Sequence, residues 1–132
     1  MADAGGGEAS RARVFVFEAH DLTREGLVGL LEEEGFEAVG ASGRPAEAVE
    51  AIVALRPDAC VLGLGPGDWG GIGVCRAVCG LAPDIPCIIL ATRDDPAAAA
   101  EAFRAGARGY VLQALRGDGL ASALRRAVAS RR

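Results

Sequence analysis

The chain has 132 residues, of which 51% are hydrophobic and 5% aromatic, and its formal net charge is −4. This length suits a single domain with its own core. The negative charge provides no broad attraction to nucleic acid or to an anionic membrane. No apolar run is long enough to cross a bilayer, so we expect a cytoplasmic protein without membrane contact. Every basic residue is an arginine, which excludes chemistry that needs a lysine ammonium.

Apolar runs and helical periodicities alternate along the chain after a Gly/Ala-rich stretch, residues 1–11, which we expect to be a disordered tail. The predicted strands lie at 13–17, 36–41, 59–64, 87–91 and 109–112. The predicted helices lie at 22–34, from about 45 to 56, from about 71 to 81, from about 96 to 106, and at 117–130. Residues 12–130 would form the folded domain, and residues 131–132 would begin a linker.

Short polar residues mark the starts of two of these helices. Asp21 or Thr23 is predicted to cap the first helix, and Asp94 or Asp95 to cap the fourth. The second helix is expected to turn three apolar residues inward: Val49, Ile52 and Val53. The first and last helices carry apolar stripes made of Leu27, Leu30, Leu31, Leu120, Leu124 and Val128.

Five strands that alternate with five helices predict an α/β fold with a doubly wound parallel sheet. The functional crevice of such a sheet lies beyond the carboxyl ends of its strands. The positions to read for function are therefore 18–21, 63–69, 91–94 and 113.

Four segments carry a family resemblance: His20–Leu27, Arg56–Asp58, Asp94–Pro96 and Ala105–Tyr110. Together they resemble the receiver domains that precede a LuxR-type helix-turn-helix in bacterial response regulators of the NarL/FixJ group. The resemblance extends over about residues 12–129. It implies a flavodoxin-like sheet with the strand order 2-1-3-4-5.

The same resemblance implies a phosphorylation site from which the working groups are missing. Receivers of this family use two adjacent acids and an aspartate to hold magnesium, and that aspartate accepts the phosphoryl group. A hydroxyl residue and a lysine hold the phosphoryl oxygens. The matching positions here are Glu18, Ala19, Gly63, Ala91 and Gln113. Thr92 follows the hydroxyl position, and Tyr110 matches an aromatic residue that changes rotamer when a receiver is activated.

The losses at these positions predict a pseudo-receiver that neither binds a metal or cofactor nor catalyses a reaction. Phosphoryl transfer depends on positioning and on neutralisation of charge by metal and cation. Glu18 alone is a poor magnesium site, because this ion prefers several oxygen ligands. Asp21 and Asp68 are nearby in sequence, but Asp68 lies beyond a Gly/Pro turn.

Our main hypothesis from the sequence is a transcription-regulating receiver that works through protein contacts, most plausibly homodimerisation. Family members pair through the first and last helices, or through the face made by the fourth helix, fifth strand and fifth helix. A C-terminal DNA-binding domain is expected to follow in the full-length protein. The arginines near the end of the chain are too few to predict direct nucleic-acid binding by this fragment.

Two other functions compete with this hypothesis. In the first, a small-molecule ligand binds in the vacated crevice near Trp69 and Thr92. In the second, residues 65–70 act as a G-x-G-x-x-G nucleotide fingerprint, although this string follows the third strand and contains a proline.

The four cysteines are Cys60, Cys75, Cys79 and Cys87. Cys75 and Cys79 are four residues apart on a predicted helix, a spacing compatible with metal binding. No C-x-x-C pair is present, and His20 is distant in sequence. We therefore expect reduced, mostly buried cysteines that pack as small apolar residues.

Overall fold

The computed structural model describes residues 11–65, 69–113 and 118–130. The strands are β1 (Arg13–Phe17), β2 (Glu37–Ser42), β3 (Ala59–Leu64), β4 (Cys87–Ala91) and β5 (Gly109–Leu112). The helices are α1 (Asp21–Glu33), α2 (Pro45–Leu55), α3 (Gly70–Leu81), α4 (Pro96–Arg104) and α5 (Asp118–Ala129). Within these ranges, no helix has both the length and the apolar character needed to cross a membrane.

The strands form one parallel sheet in the order β2-β1-β3-β4-β5. This order confirms the predicted doubly wound, flavodoxin-like fold. The central strand β3 is buried along its whole length, as expected for a strand that is covered on both faces. The carboxyl ends of β1, β3, β4 and β5 consequently meet at one edge of the sheet.

Two hydrophobic clusters cover the two faces of the sheet. On one face, α1 and α5 pack through their leucines against Val14, Val61 and Leu90. On the other face, α2, α3 and α4 pack against residues that include Phe15 and Leu62. Because side chains alternate between the faces of a strand, neighbouring residues of β1 and β3 contribute to different clusters.

The apolar stripes of α1 and α5 belong mainly to the core. Leu27, Leu31, Leu120 and Leu124 are buried, whereas Leu30 and Val128 are partly exposed. The expectation for α2 was wrong at one position, because Val53 is 36% exposed. Ala48 and Ile52 form the buried side of that helix, with Val49 partly buried.

The two predicted helix caps differ in outcome. Asp95 caps α4 as predicted, since its Oδ1 accepts hydrogen bonds from the backbone N–H groups of Ala97 and Ala98. The prediction for α1 was wrong, because His20 occupies the N-cap position and makes no side-chain cap hydrogen bond. Asp21 instead accepts a hydrogen bond from Arg24 Nη2 at 2.7 Å.

Arg11, at the start of the described chain, contacts the turn between α1 and β2. The guanidinium of Arg11 donates to the carbonyl oxygens of Gly35 and Phe36, at 3.3 and 2.6 Å. Residues 1–10 and 131–132, to which most of the predicted tail and the linker were assigned, lie outside the described residues.

Candidate functional site

The sheet brings the predicted phosphorylation-site positions together at the carboxyl ends of its strands. Glu18 directly follows β1, Gly63 lies near the end of β3, and Ala91 ends β4. Gln113 follows β5, and its backbone N–H donates to the carbonyl oxygen of Ala91 at 2.6 Å. The structure thus places these four positions at one edge of the sheet.

The side chain of Glu18 occupies the space beside Gly63. A Cβ atom added at Gly63 would lie 2.2 Å from Glu18 Oε1 and 3.1 Å from its carboxyl carbon. Real side chains do not approach so closely, so no residue with a Cβ fits at position 63 while Glu18 keeps this rotamer. The space beside Gly63 is thus filled by the carboxylate of Glu18, the residue that follows the neighbouring strand β1.

His20 holds the other oxygen of this carboxylate. The backbone N–H of His20 donates to Glu18 Oε2 at 2.9 Å, and His20 Nδ1 lies 3.0 Å from the same oxygen. Glu18 is only 6% exposed, whereas the His20 side chain is 68% exposed. His20 is thus an exposed loop residue, and its contact with Glu18 was not predicted.

The acidic groups described at this edge do not fit a magnesium ion. Magnesium prefers near-octahedral oxygen ligands that usually include one or two carboxylates. Here Glu18 has one oxygen against Gly63 and the other hydrogen-bonded by His20. The carboxylate of Asp21 is 82% exposed and pairs with Arg24, which also donates to the backbone oxygen of Glu18. Asp68 lies outside the described residues.

The positions that would hold phosphoryl oxygens lack suitable groups. Ala91 is buried and has no hydroxyl, while the neighbouring Thr92 is exposed on the loop. Gln113 is partly exposed and carries no charge, and the chain contains no lysine at all. The described residues at this edge therefore offer no hydroxyl at position 91 and no ammonium, and the hydroxyl of Thr92 lies one residue further along the chain.

Two shallow clefts adjoin the filled space and share Leu64, Gly65 and Thr92. The smaller, of about 60 Å³, is also lined by Trp69 and Tyr110, among other residues. The larger cleft has a volume of about 230 Å³, and its remaining lining residues are Glu18, His20, Thr23 and Gln113. Sites for small molecules usually measure roughly 300–1,000 Å³, so each cleft is small for such a ligand.

Trp69 and Tyr110 both lie beside the β4–α4 loop. Trp69 is 39% exposed and precedes α3, where its carbonyl oxygen accepts hydrogen bonds from Ile72 and Gly73. The Tyr110 hydroxyl donates to the carbonyl oxygen of Arg93 at 3.3 Å. Burial raises the pKa of Tyr110, so this hydroxyl remains a donor at neutral pH.

Sequence reasoning missed two close contacts that shape the molecule. A Cβ at Gly71 would lie 2.5 Å from the carbonyl oxygen of Gly63, so α3 approaches β3 where both residues are glycine. The sulfur atoms of Cys75, Cys79 and Cys87 lie within 4.8 Å of one another. Only the spacing of Cys75 and Cys79 hinted at this cluster, because Cys87 comes from a different element.

Comparison with known families agrees with this architecture. The profile of the response regulator receiver domain matches residues 14–125. The fold is thus that of a signal-receiving module, with the strand order and crevice described above. The chain belongs to the response regulator receiver domain family.

Individual relatives give the same result. The chain is 38% identical over 114 residues to the DNA-binding transcriptional activator DevR/DosR of Mycobacterium tuberculosis, covering 86% of this chain and 52% of that protein. A LuxR-family response regulator structure from Aurantimonas matches with a TM-score of 0.84 and 31% identity over 93% of this chain and 89% of that one.

The receiver domain of the putative response regulator NarL from Mycobacterium tuberculosis matches with a TM-score of 0.82 and 28% identity. That match covers 92% of this chain and 98% of the other. The chain spans about half the length of the curated relatives it matches, which are named as transcriptional regulators. It thus corresponds to the receiver part of these relatives.

Proposed function

We propose that this receiver regulates transcription without aspartyl phosphorylation, as a pseudo-receiver. The observation that supports the proposal is the position of Glu18, whose Oε1 fills the space where a side chain at position 63 would begin. A nucleophile is missing, and a buried, hydrogen-bonded carboxylate stands in its place.

The charge around this position also opposes phosphorylation. An incoming phosphoryl group carries negative charge and would meet the carboxylate of Glu18 in a buried setting, where like charges repel strongly. Catalysis of phosphoryl transfer depends on cations that neutralise this charge. The lysine position is Gln113, and the carboxylates described at this edge do not fit magnesium.

Incubation with acetyl phosphate and magnesium, followed by intact-mass measurement, tests the proposal. We expect no addition of one phosphate to the wild-type protein. The Asp68→Asn variant serves as the control for a substitute acceptor at position 68. A phosphate adduct on the wild type that disappears in Asp68→Asn would overturn the proposal.

In the absence of phosphorylation, protein contacts are the means by which such a domain can act, and we propose a homodimer. The exposed apolar residue that favours one face is Phe103 on α4, which is 52% exposed. The adjacent strand β5 is the edge of the sheet and is only partly buried. The face made by α4, β5 and α5 therefore offers an aromatic anchor of the kind that interfaces favour.

The remaining parts of the proposal follow from the relatives. This chain spans about half of their length, and they are named as DNA-binding or transcriptional regulators. We propose that a C-terminal DNA-binding domain follows, and that the whole protein acts in the cytoplasm without enzymatic activity. The receiver itself, with a net charge of −4, would not contact nucleic acid directly.

A second candidate function, the sensing of a small molecule, is favoured by one observation. The cleft of about 230 Å³ combines polar groups from Glu18, Thr92 and Gln113 at the edge where doubly wound folds bind ligands. Because Trp69 lines the adjoining cleft, a metabolite screen can follow its fluorescence. A saturable change that is lost in Thr92→Val would support sensing, and its absence across the screen would count against it.

A further inference from the structure

A cluster of thiols lies at the opposite end of the sheet from the crevice. Cys87 begins β4, and Cys75 and Cys79 lie one turn apart on α3. All three sulfur atoms are within 4.8 Å of one another, and the sulfurs of Cys75 and Cys79 are 4.0 Å apart. The cluster is thus formed by a helix and a strand that pack together, not by neighbours in sequence.

We propose that Cys75, Cys79 and Cys87 form a binding site for a soft monovalent d¹⁰ cation, for which Cu⁺ is the probe. Three sulfurs that surround one ion in a plane, with metal–sulfur bonds of about 2.3 Å, are separated by about 4.0 Å. The observed separations require only small side-chain rotations to reach this arrangement. This site is independent of the function proposed for the crevice.

The number and type of ligands favour Cu⁺ over Zn²⁺. Thiolates prefer soft ions such as Cu⁺ and Zn²⁺. Structural Zn²⁺ is almost always four-coordinate, yet no described histidine, aspartate or glutamate joins the three sulfurs. Cys60 pairs with Cys87 across β3 and β4 but is not within reach of all three sulfurs. Three-sulfur coordination therefore suits the monovalent ion better.

The surroundings of Cys79 give an ion access to the cluster. Cys75 and Cys87 are fully buried, whereas Cys79 is partly exposed. Cys79 is therefore the thiol that an arriving ion would contact first.

The turn that ends α4 is shaped around these thiols. Glycine is favoured at position 106 for two reasons. A Cβ there would lie 2.6 Å from Cys79 Sγ, and the φ of Gly106 is +111°, which other residues rarely adopt. The carbonyl oxygens of Ala105 and Gly106 lie 3.9 and 3.5 Å from the sulfurs of Cys75 and Cys79. The room beside Cys79 thus depends on an adjacent glycine.

A disulfide is a poorer use of the same residues. The cysteines are free, and the 4.0 Å between the sulfurs of Cys75 and Cys79 is about twice the length of an S–S bond. Closing that bond would distort one turn of α3 and would also need an oxidant. Binding of Cu⁺ needs no electron transfer, since the ion replaces thiol protons, which are released to water.

Anaerobic titration of the reduced protein with Cu⁺, buffered by a competing chelator, tests the proposal. We expect one Cu⁺ per chain and an ultraviolet thiolate-to-copper absorption band. Cys79→Ser should weaken Cu⁺ binding by at least ~10-fold. Loss of a residue that only orients a metal ligand already weakens binding about that much, and Cys79 is a direct ligand in the proposed site. The matched control is Cys60→Ala, which removes a buried thiol outside the three-sulfur group and should keep the stoichiometry.

Circular dichroism of each variant separates loss of a ligand from loss of folding. Cys79→Ser is the main variant because Cys79 is partly exposed, so its substitution disturbs the core least. Failure of the folded wild type to bind one Cu⁺ would overturn the proposal. Equal affinity in the wild type and Cys79→Ser would do the same. A second titration with Zn²⁺ tests the choice of ion, and stoichiometric Zn²⁺ without Cu⁺ binding would overturn that choice.

Discussion

At the scale of single residues, the contact between Glu18 and Gly63 supports the proposal that this receiver is not phosphorylated. The resemblance named both positions. It did not predict that Glu18 would fill the vacated space, because a rotamer depends on local packing and hydrogen bonds. The backbone N–H of His20, which fixes the rotamer, belongs to a loop whose geometry no periodicity describes.

Gly63→Ala is expected to destabilise the protein by about 1–3 kcal/mol, the usual effect of overpacking. The added methyl group would lie 2.2 Å from Glu18 Oε1 and force the carboxylate away from His20. The free energy of unfolding in urea is the measurement. In the background of Glu18→Ala the same substitution should cost less, and an equal cost in both backgrounds would contradict the contact.

At the scale of elements, most strands and helices were predictable, and the errors fall at positions that depend on tertiary contacts. The bounds of β3, β4 and β5 agree with the sequence, because buried parallel strands are read as continuous apolar runs. The prediction of the α1 cap was wrong because Asp21 pairs with Arg24 instead of the helix N–H groups. The prediction that Val53 faces inward was wrong because α2 turns Ala48 and Ile52 to the sheet.

Two glycines of α3 should respond to alanine in opposite ways. Gly71→Ala is expected to cost about 1–3 kcal/mol, because its Cβ would lie 2.5 Å from the backbone oxygen of Gly63, which cannot rotate away. Gly73→Ala has open space around its Cβ and should stabilise the helix by roughly 0.5–1 kcal/mol. Thermal unfolding of both variants measures the difference, and a shift of the same sign would contradict it.

The start of α4 offers a second matched pair. Asp95→Ala should destabilise the protein by about 1 kcal/mol, because Asp95 Oδ1 accepts the hydrogen bonds of two N–H groups in the first turn. The neighbouring Asp94 is exposed and is not the cap, so Asp94→Ala should have little effect on unfolding. Equal losses in the two variants would show that the cap contributes nothing measurable.

At the scale of the whole molecule, the topology was predictable because alternation of elements and handedness rules leave few arrangements. The face used for dimerisation was not predictable, because the sequence alone could not show which leucines of α1 and α5 lie in the core and which lie on the surface. The structure assigns Leu27, Leu31, Leu120 and Leu124 to the core. Phe103 is an exposed aromatic residue that sequence reasoning did not single out.

The proposed dimer can be tested with one charge on each candidate face. Phe103→Glu should weaken self-association by at least ~10-fold, which corresponds to about 1.4 kcal/mol, because a charge would be buried at the centre of the interface. Leu22→Glu, at a residue of α1 that is 83% exposed, is the control for the alternative face. Sedimentation measures both, and the opposite order of effects would assign the interface to α1.

The carboxylate in the Gly63 space also bears on how the proposed loss of the switch could be reversed. A change of Gly63 to aspartate would introduce a side chain where Glu18 Oε1 now lies, so the Glu18 carboxylate would have to move away from His20. The variant would hold two neighbouring negative charges and would still lack the lysine. Under the proposal, a single substitution at position 63 would therefore not restore phosphorylation, and the order in which several positions change would matter.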